Sequence, residues 1–151
     1  MKIVSICNQK GGVGKTSTSI SLASFLGLAG KKTILVDLDP QGNATSGLGI
    51  EKHKVERSAY DLLLHNKSVQ EVVHPTPIEN LQIIPSNVNL AGAEIELVNE
   101  MGREGRLKKA FRAVEDQYDY CIIDCPPSMG ILTINALTAS GPVLIPIQCE
   151  Y

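Results

Sequence analysis

A short apolar run from Lys2 to Asn8 leads into Gln9-Lys10-Gly11-Gly12-Val13-Gly14-Lys15-Thr16, and the segment after it, Thr16 to Ala29, is amphipathic. Few folds accommodate a strand that turns through glycines straight into a helix. The glycines free the backbone to aim successive N–H groups at one spot, and the helix start adds partial positive charge there. Together they define a phosphate-binding loop. In such a loop Lys15 reaches toward β- and γ-phosphates and the Thr16 hydroxyl is placed for Mg²⁺. The common G-x-x-x-x-G-K-[ST] spacing needs a glycine at position 9, where this chain has Gln9. In its place a second lysine, Lys10, stands at the mouth of the loop.

The rest of the chain reads as strands alternating with helices. Lys2–Cys7, Thr33–Asp37, Leu81–Ile84, Tyr120–Asp124 and Val143–Ile147 are Ile/Val-rich and continuous, as strands buried on both faces of a parallel sheet are. Thr16–Ala29 ends at Gly30, a good residue to follow a helix. Ser58 caps a predicted helix through Leu64, and Ser68 another through Val73 that stops before Pro75. Asn89–Glu100, Arg103–Gln117 and Met129–Ala139 complete the predicted helices. Short connections between alternating elements imply right-handed βαβ units in an α/β, doubly wound, mostly parallel sheet with helices on both faces. Residues 1–151 then form a single domain, with 43% hydrophobic residues for its core. Ligands of such sheets sit at the carboxyl ends of the strands.

Two motifs fall where that rule requires. Asp37 and Asp39, in Val36-Asp37-Leu38-Asp39-Pro40-Gln41-Gly42-Asn43-Ala44, lie two apart at a strand end, so both can approach one phosphate site. Asp37 either supports the site from behind or caps the following turn. Tyr120-Cys121-Ile122-Ile123-Asp124-Cys125-Pro126-Pro127 is an apolar strand ending in aspartate, a Walker B pattern, and the prolines then force the chain away from the sheet.

Composition excludes several classes. Net charge is −2 and the pI about 5.9, so bulk charge gives no nucleic-acid signal. No apolar run reaches membrane-spanning length, and the N-terminus enters strand pattern without a signal peptide, which points to the cytoplasm. Cys7, Cys121, Cys125 and Cys149 lack C-x-x-C spacing and read as buried free thiols. His53, His65 and His74 lack ligand spacing. Arg103, Arg106, Lys108, Lys109 and Arg112 are interleaved with Glu100, Glu104, Glu115 and Asp116, with Glu104–Lys108 as a favourable pair, so they read as a solvated helix face.

The K-G-G-V-G-K-T loop is a deviant Walker A pattern. With the D-L-D-P-Q-G-N-A run and the Walker B strand, the sequence resembles the ParA/Soj chromosome- and plasmid-partitioning ATPases, relatives of MinD and the nitrogenase iron protein. The resemblance implies ATP hydrolysis with Mg²⁺ and nucleotide contacts from Lys10, Gly11, Gly12, Val13, Gly14, Lys15, Thr16 and Ser17. It gives Lys10 a reach across a nucleotide-sandwiched homodimer to the partner's ATP, and Asp39 the attacking water. A carboxylate beside Mg²⁺ and Lys15 stays ionised. Thr16 and Asp124 are the implied metal residues, Asp124 through a water, since Mg²⁺ dehydrates reluctantly. Ser128 to Leu132 is implied to sense nucleotide and face the dimer. The implied partners are a ParB-like centromere-binding protein that stimulates slow hydrolysis, and DNA bound without sequence preference by residues beyond 151. No membrane is implied, and the ATP-bound form would associate with the nucleoid.

The D-P-Q-G-N run argues against the alternative, a MinD-like membrane-associated division-site ATPase. An electron-transfer ATPase would need accessible cluster cysteines, and Cys121 and Cys125 lie within a buried strand pattern. A folded fragment without hydrolysis is the non-enzymatic reading. Family members continue further, so the chain is expected to cover roughly the N-terminal three-fifths of a ParA-like domain. Its short N-terminus fits the smaller Soj-like branch better than plasmid forms with an added helix-turn-helix domain.

Overall fold

The computed structural model describes residues 1–149. Its strands are β1 (Lys2–Ile6), β2 (Thr33–Asp37), β3 (His74–Pro75), β4 (Leu81–Ile84), β5 (Tyr120–Asp124) and β6 (Val143–Leu144), in the sheet order β3-β4-β2-β5-β1-β6. All neighbours are parallel except the edge pair β3–β4. The helices are α1 (Lys15–Leu28), α2 (Asn43–Gly47), α3 (Ala59–Leu64), α4 (Val69–Val72), α5 (Leu90–Glu96), α6 (Arg106–Arg112) and α7 (Ile131–Ala139).

Alternation along each strand feeds two cores. Leu35, Ile83 and Ile122 point to the face covered by α1 and α2, where they meet Ala23, Ala44 and Leu48. Their neighbours Ile34, Val36, Ile84, Cys121 and Ile123 point the other way, against Leu62, Val69, Leu90, Leu107, Phe111 and Leu132 of α3 to α7. Burial on both sides explains why the central strands run as near-continuous apolar stretches instead of alternating. The fold is the expected doubly wound α/β sheet with helices on both faces.

Helix boundaries follow local signals. After α1, Gly30 takes φ 77° and its N–H donates to the Gly27 carbonyl, while Lys31 donates to the Leu26 carbonyl. Both bonds satisfy carbonyls that the helix end would leave unpaired. Ser58 with Asp61, and Ser68 with Glu71, form capping boxes that start α3 and α4.

Several expectations are corrected. The helix expected over Asn89–Glu100 is α5 followed by a 3₁₀ turn, Leu97–Asn99. That expected over Arg103–Gln117 is a 3₁₀ turn, Arg103–Gly105, then α6, and it gives way after Arg112 to tight turns such as Gln117 N–H to the Val114 carbonyl. The strand expected over Val143–Ile147 pairs only over Val143–Leu144; Pro146, without an N–H, cannot extend a ladder. β3 was unforeseen, because Pro75 argues against a strand everywhere except at an edge, where it lies.

Candidate nucleotide-binding site

The three central strands end level. Asp124 of β5 is in register with Ile6 of β1 on one side and with Asp37 of β2 on the other. The glycine loop leaves β1 at that point, so loop, Asp37, Asp39 and Asp124 converge at the carboxyl edge. Gly12 (φ 72°) and Gly14 (φ 87°) hold left-handed backbone, and a Cβ on either, or on Gly11, would meet nothing within 4 Å. The loop is thus an open cradle at the start of α1. Asn8 steadies its entry by accepting the Lys10 N–H (2.9 Å). Gln148 donates to the Gly12 carbonyl at 2.8 Å, and Asn8 to the Pro146 carbonyl at 2.8 Å, so the segment after β6 runs beside the loop.

Asp124 is the hub. One of its oxygens accepts the Thr16 hydroxyl (Oγ1 to Oδ2, 2.8 Å) and the other lies 2.8 Å from Ser19 Oγ. Ser19 is fully buried on α1, one turn beyond Thr16, and also lies 2.9 Å from the Lys15 carbonyl. Burial pushes the Asp124 carboxyl above the ordinary range, the Ser19 and Thr16 hydroxyls pull it down, nearby Asp39 raises it further and Lys15 lowers it. Lys15 is 7% exposed, with Nζ 3.0 Å from the Lys10 carbonyl. Lys10 and Ser17 are exposed, and Val13 is buried beneath the loop.

The two aspartates after β2 differ. Asp39 is largely buried and accepts the Gln41 N–H on Oδ1 at 2.9 Å. Asp37 is fully buried and faces away: it accepts the Asp39 N–H (3.1 Å) and both the N–H (2.8 Å) and hydroxyl (2.7 Å) of Thr45 on α2. The Thr45 hydroxyl in turn accepts the Ser86 N–H beyond β4 (2.9 Å). Asp37 therefore ties the end of β2 to α2 and, through Thr45, to the segment after β4, and burial pushes its carboxyl up to about 7 despite the Thr45 and Asp39 hydrogen bonds. Ser19 and Thr45 went unread in the sequence. Ser19 leaves one signal, a polar residue on the buried side of α1 three places after Thr16.

The cysteine reading needs correction, since Cys149 is exposed and Cys7 only half-buried, while Cys121 and Cys125 are buried. Cys7 and Cys125 directly follow the ends of adjacent strands β1 and β5, with their sulfurs 2.7 Å apart. That contact holds the Cys7 thiol below its usual range and Cys125 above it. Ser128 to Leu132 spans the β5–α7 loop and the start of α7, with Met129 exposed. Lys108, Lys109 and Arg112 of α6 are exposed as expected, but Arg106 is largely covered, donating to the Leu63 carbonyl at 2.9 Å and pairing with Glu100, and Glu104 and Lys108 do not pair. Among the described residues, no three or more His, Cys, Asp or Glu side chains gather into a metal-holding group, and no helix is long and apolar enough to cross a membrane.

A doubly wound sheet with a glycine cradle and paired hydroxyl and carboxylate at its carboxyl edge defines a P-loop nucleotide-binding domain. The chain matches the AAA domain family over residues 1–151 and belongs to it. It is 61% identical over 150 residues to the sporulation initiation inhibitor protein Soj of Bacillus subtilis, covering 99% of this chain and 59% of that protein. It is 55% identical to the chromosome partitioning protein ParA of Myxococcus xanthus, covering 99% of this chain and 53% of that one. The resemblance to ParA/Soj proteins thus runs over nearly the whole chain, which spans under two thirds of their length. A crystal structure named cobyrinic acid a,c-diamide synthase from Mycobacterium smegmatis, bound to an ATP analogue and magnesium, superposes with a TM-score of 0.96 at 42% identity, covering 100% of this chain and 62% of that one. With that structure, whose name differs from those of the relatives, the chain shares the fold.

Proposed function

We propose that this chain carries the nucleotide switch of a ParA/Soj-type ATPase that segregates DNA. The observation that carries the reading is the Thr16–Asp124 contact at the foot of a two-lysine glycine loop, with Asp39 beside it. ATP is the nucleotide, cradled by N–H groups of Lys10 to Ser17. Lys15 leaves the Lys10 carbonyl to meet the β- and γ-phosphates. Thr16 and Asp124 present hard oxygen donors next to one another, a fit for Mg²⁺ held by Thr16 directly and by Asp124 through water. Bound there, Mg²⁺ would neutralise charge on the phosphate oxygens. Asp39 orients a water in line with the γ-phosphate, acting by position more than basicity. Lys10 completes the site of a second copy in a sandwich dimer. That dimer binds DNA without sequence preference and sits on the nucleoid, in the cytoplasm. A ParB-like partner speeds the slow hydrolysis that dissolves it.

The γ-phosphate acts as a switch because it makes contacts in the dimer that ADP cannot. Moving the equilibrium from mostly monomer to mostly dimer takes about 5 kcal/mol of differential binding. The test is light scattering of Asp39→Ala with and without ATP–Mg²⁺, beside Asp39→Ala/Lys10→Ala. A dimer that requires both ATP and Lys10 is expected. One that survives Lys10→Ala overturns the role across the interface; a monomer throughout means that the part of the domain beyond residue 151 is required, and the same result in a chain carrying the whole domain overturns the switch.

A further inference from the structure

We propose that Cys7 and Cys125 are a dithiol modification site that closes to an intramolecular disulfide, stapling the strand that feeds the phosphate loop to the strand that carries Asp124. The regulatory half of this inference rests on the nucleotide reading above; the chemistry of the pair does not.

The backbone sets the pair. Ile6 and Asp124 are in register on parallel β1 and β5, and the Cys125 N–H donates to the Ile6 carbonyl at 3.2 Å. Cys7 and Cys125 are therefore the next residues out on neighbouring strands. Such strands lie about 4.8 Å apart, inside the Cα separation of about 4.4–6.8 Å that a disulfide tolerates. The sulfurs already face each other at 2.7 Å. Bonding at about 2.05 Å asks for well under 1 Å of further approach.

Access differs between the two. Cys7 is half-buried and lines a 350 Å³ pocket with Asn8, Pro126, Met129 and Val143. Cys125 is only 1% exposed behind it. A small peroxide entering the pocket meets Cys7 first. The Cys7 sulfur attacks one peroxide oxygen, the O–O bond breaks, and Cys7 becomes a sulfenic acid with release of water. Cys125 then displaces the hydroxyl as a second water, the S–S bond forming as the S–O bond breaks. Two thiols and one hydrogen peroxide give one disulfide and two waters, so the peroxide is the oxidant that balances the step.

The staple falls at the chemistry. Cys7 precedes Asn8, which holds the Lys10 N–H, and Cys125 follows Asp124. Closing the gap shifts both ends of the site by a fraction of an ångström. Positioning chemistry loses up to about a hundredfold for 1 Å of misplacement, so hydrolysis by the oxidised chain should fall by about tenfold.

The experiment treats the chain with hydrogen peroxide, alkylates the remaining thiols and maps peptides, beside Cys7→Ser and Cys149→Ser. The expected product has a mass lower by about 2 Da, the loss of two hydrogens, with Cys7 and Cys125 joined in one peptide pair. Cys149→Ser keeps that link and Cys7→Ser lacks it. Alkylation of both Cys7 and Cys125 after treatment, or linkage of either to Cys149, overturns the proposal. ATP turnover is then measured before and after dithiothreitol. A loss that dithiothreitol restores, and that Cys7→Ser does not show, is expected. A disulfide that leaves turnover unchanged overturns the regulatory half. Turnover is measured in a chain carrying the whole domain, where its absence in both redox states overturns the nucleotide reading and the regulatory half with it, while the mapped disulfide stands.

Discussion

At Asp124 a buried carboxylate is surrounded by hydroxyls and one ammonium, and its neighbours have separable jobs. Ser19→Ala removes one of the two hydroxyls that face it. Leaving a buried acceptor short of a donor costs about 1–3 kcal/mol, so the urea midpoint should fall measurably. Nucleotide affinity should fall less than in Lys15→Ala, because Ser19 lies beneath the loop. Lys15→Ala removes the ammonium proposed to meet the phosphates. Hydrogen bonds to charged groups contribute about 1.5–3 kcal/mol, so titration calorimetry should read a 10- to 100-fold weaker ATP affinity. Undiminished affinity would sink the loop assignment. Asp39→Ala should keep ATP affinity and lose turnover, and an unchanged rate in a chain carrying the whole domain would remove Asp39 from the mechanism. Lys15, Thr16, Asp39 and Asp124 were legible because each sits at a fixed offset from a glycine or a strand end. Ser19 was not, since a serine inside a helix looks neutral and its partner is 105 residues away.

Individual elements show the same division. α1 could be read to within a residue, because a glycine loop starts it and Gly30 stops it. α2 could not: it has five residues, too few for a period, and it is held by the Asp37 carboxylate through Thr45. Two glycines at opposite ends of α1, Gly14 just before it and Gly27 in its last turn, separate function from packing. Gly14 sits at φ 87° with open space around it, so Gly14→Ala brings backbone strain of about 1–2 kcal/mol without a clash. The alanine relieves that strain by turning the loop, so nucleotide binding should be lost with a small drop in thermal midpoint. On the opposite end, a Cβ at Gly27 would lie 2.7 Å from the Glu79 carbonyl oxygen and 3.3 Å from Leu81 Cβ. Gly27→Ala therefore forces α1 off the sheet at a cost of about 1–3 kcal/mol, and nucleotide affinity should persist wherever the chain remains folded. Calorimetry and thermal melts on both variants read the two effects apart. Equal losses of affinity would overturn the distinction.

In the molecule as a whole, the parallel sheet brings β1, β2 and β5 level at one edge, so distant segments share one buried, acidic place. That concentration has a thermodynamic signature. The Asp37 carboxyl stands at about 7 in the folded chain against an ordinary 3.8. Between those values the folded state holds a proton that the unfolded state has released. Stability therefore falls as pH rises from about 4 to about 7. At 1.36 kcal/mol per unit the effect is of order 4 kcal/mol at most. Exposed Glu71 works in the opposite sense and at lower pH. Its carboxyl is held down to about 2 by the Ser68 N–H, Lys67 and the Ser68 hydroxyl, so its contribution is present above 4.5 and lost as pH falls toward 2. The two windows barely overlap, so Asp37 can be read between pH 5 and 7. Asp37→Asn cannot titrate, and its urea midpoint should vary less with pH across that range than the parent's. Its absolute midpoint should be lower, because one amide oxygen replaces two acceptors that serve Asp39 and Thr45. The slope, not the level, is the readout. An Asp37→Asn slope equal to the parent's would mean that Asp37 stays ionised in the folded chain and that the hydrogen bonds around it outweigh its burial.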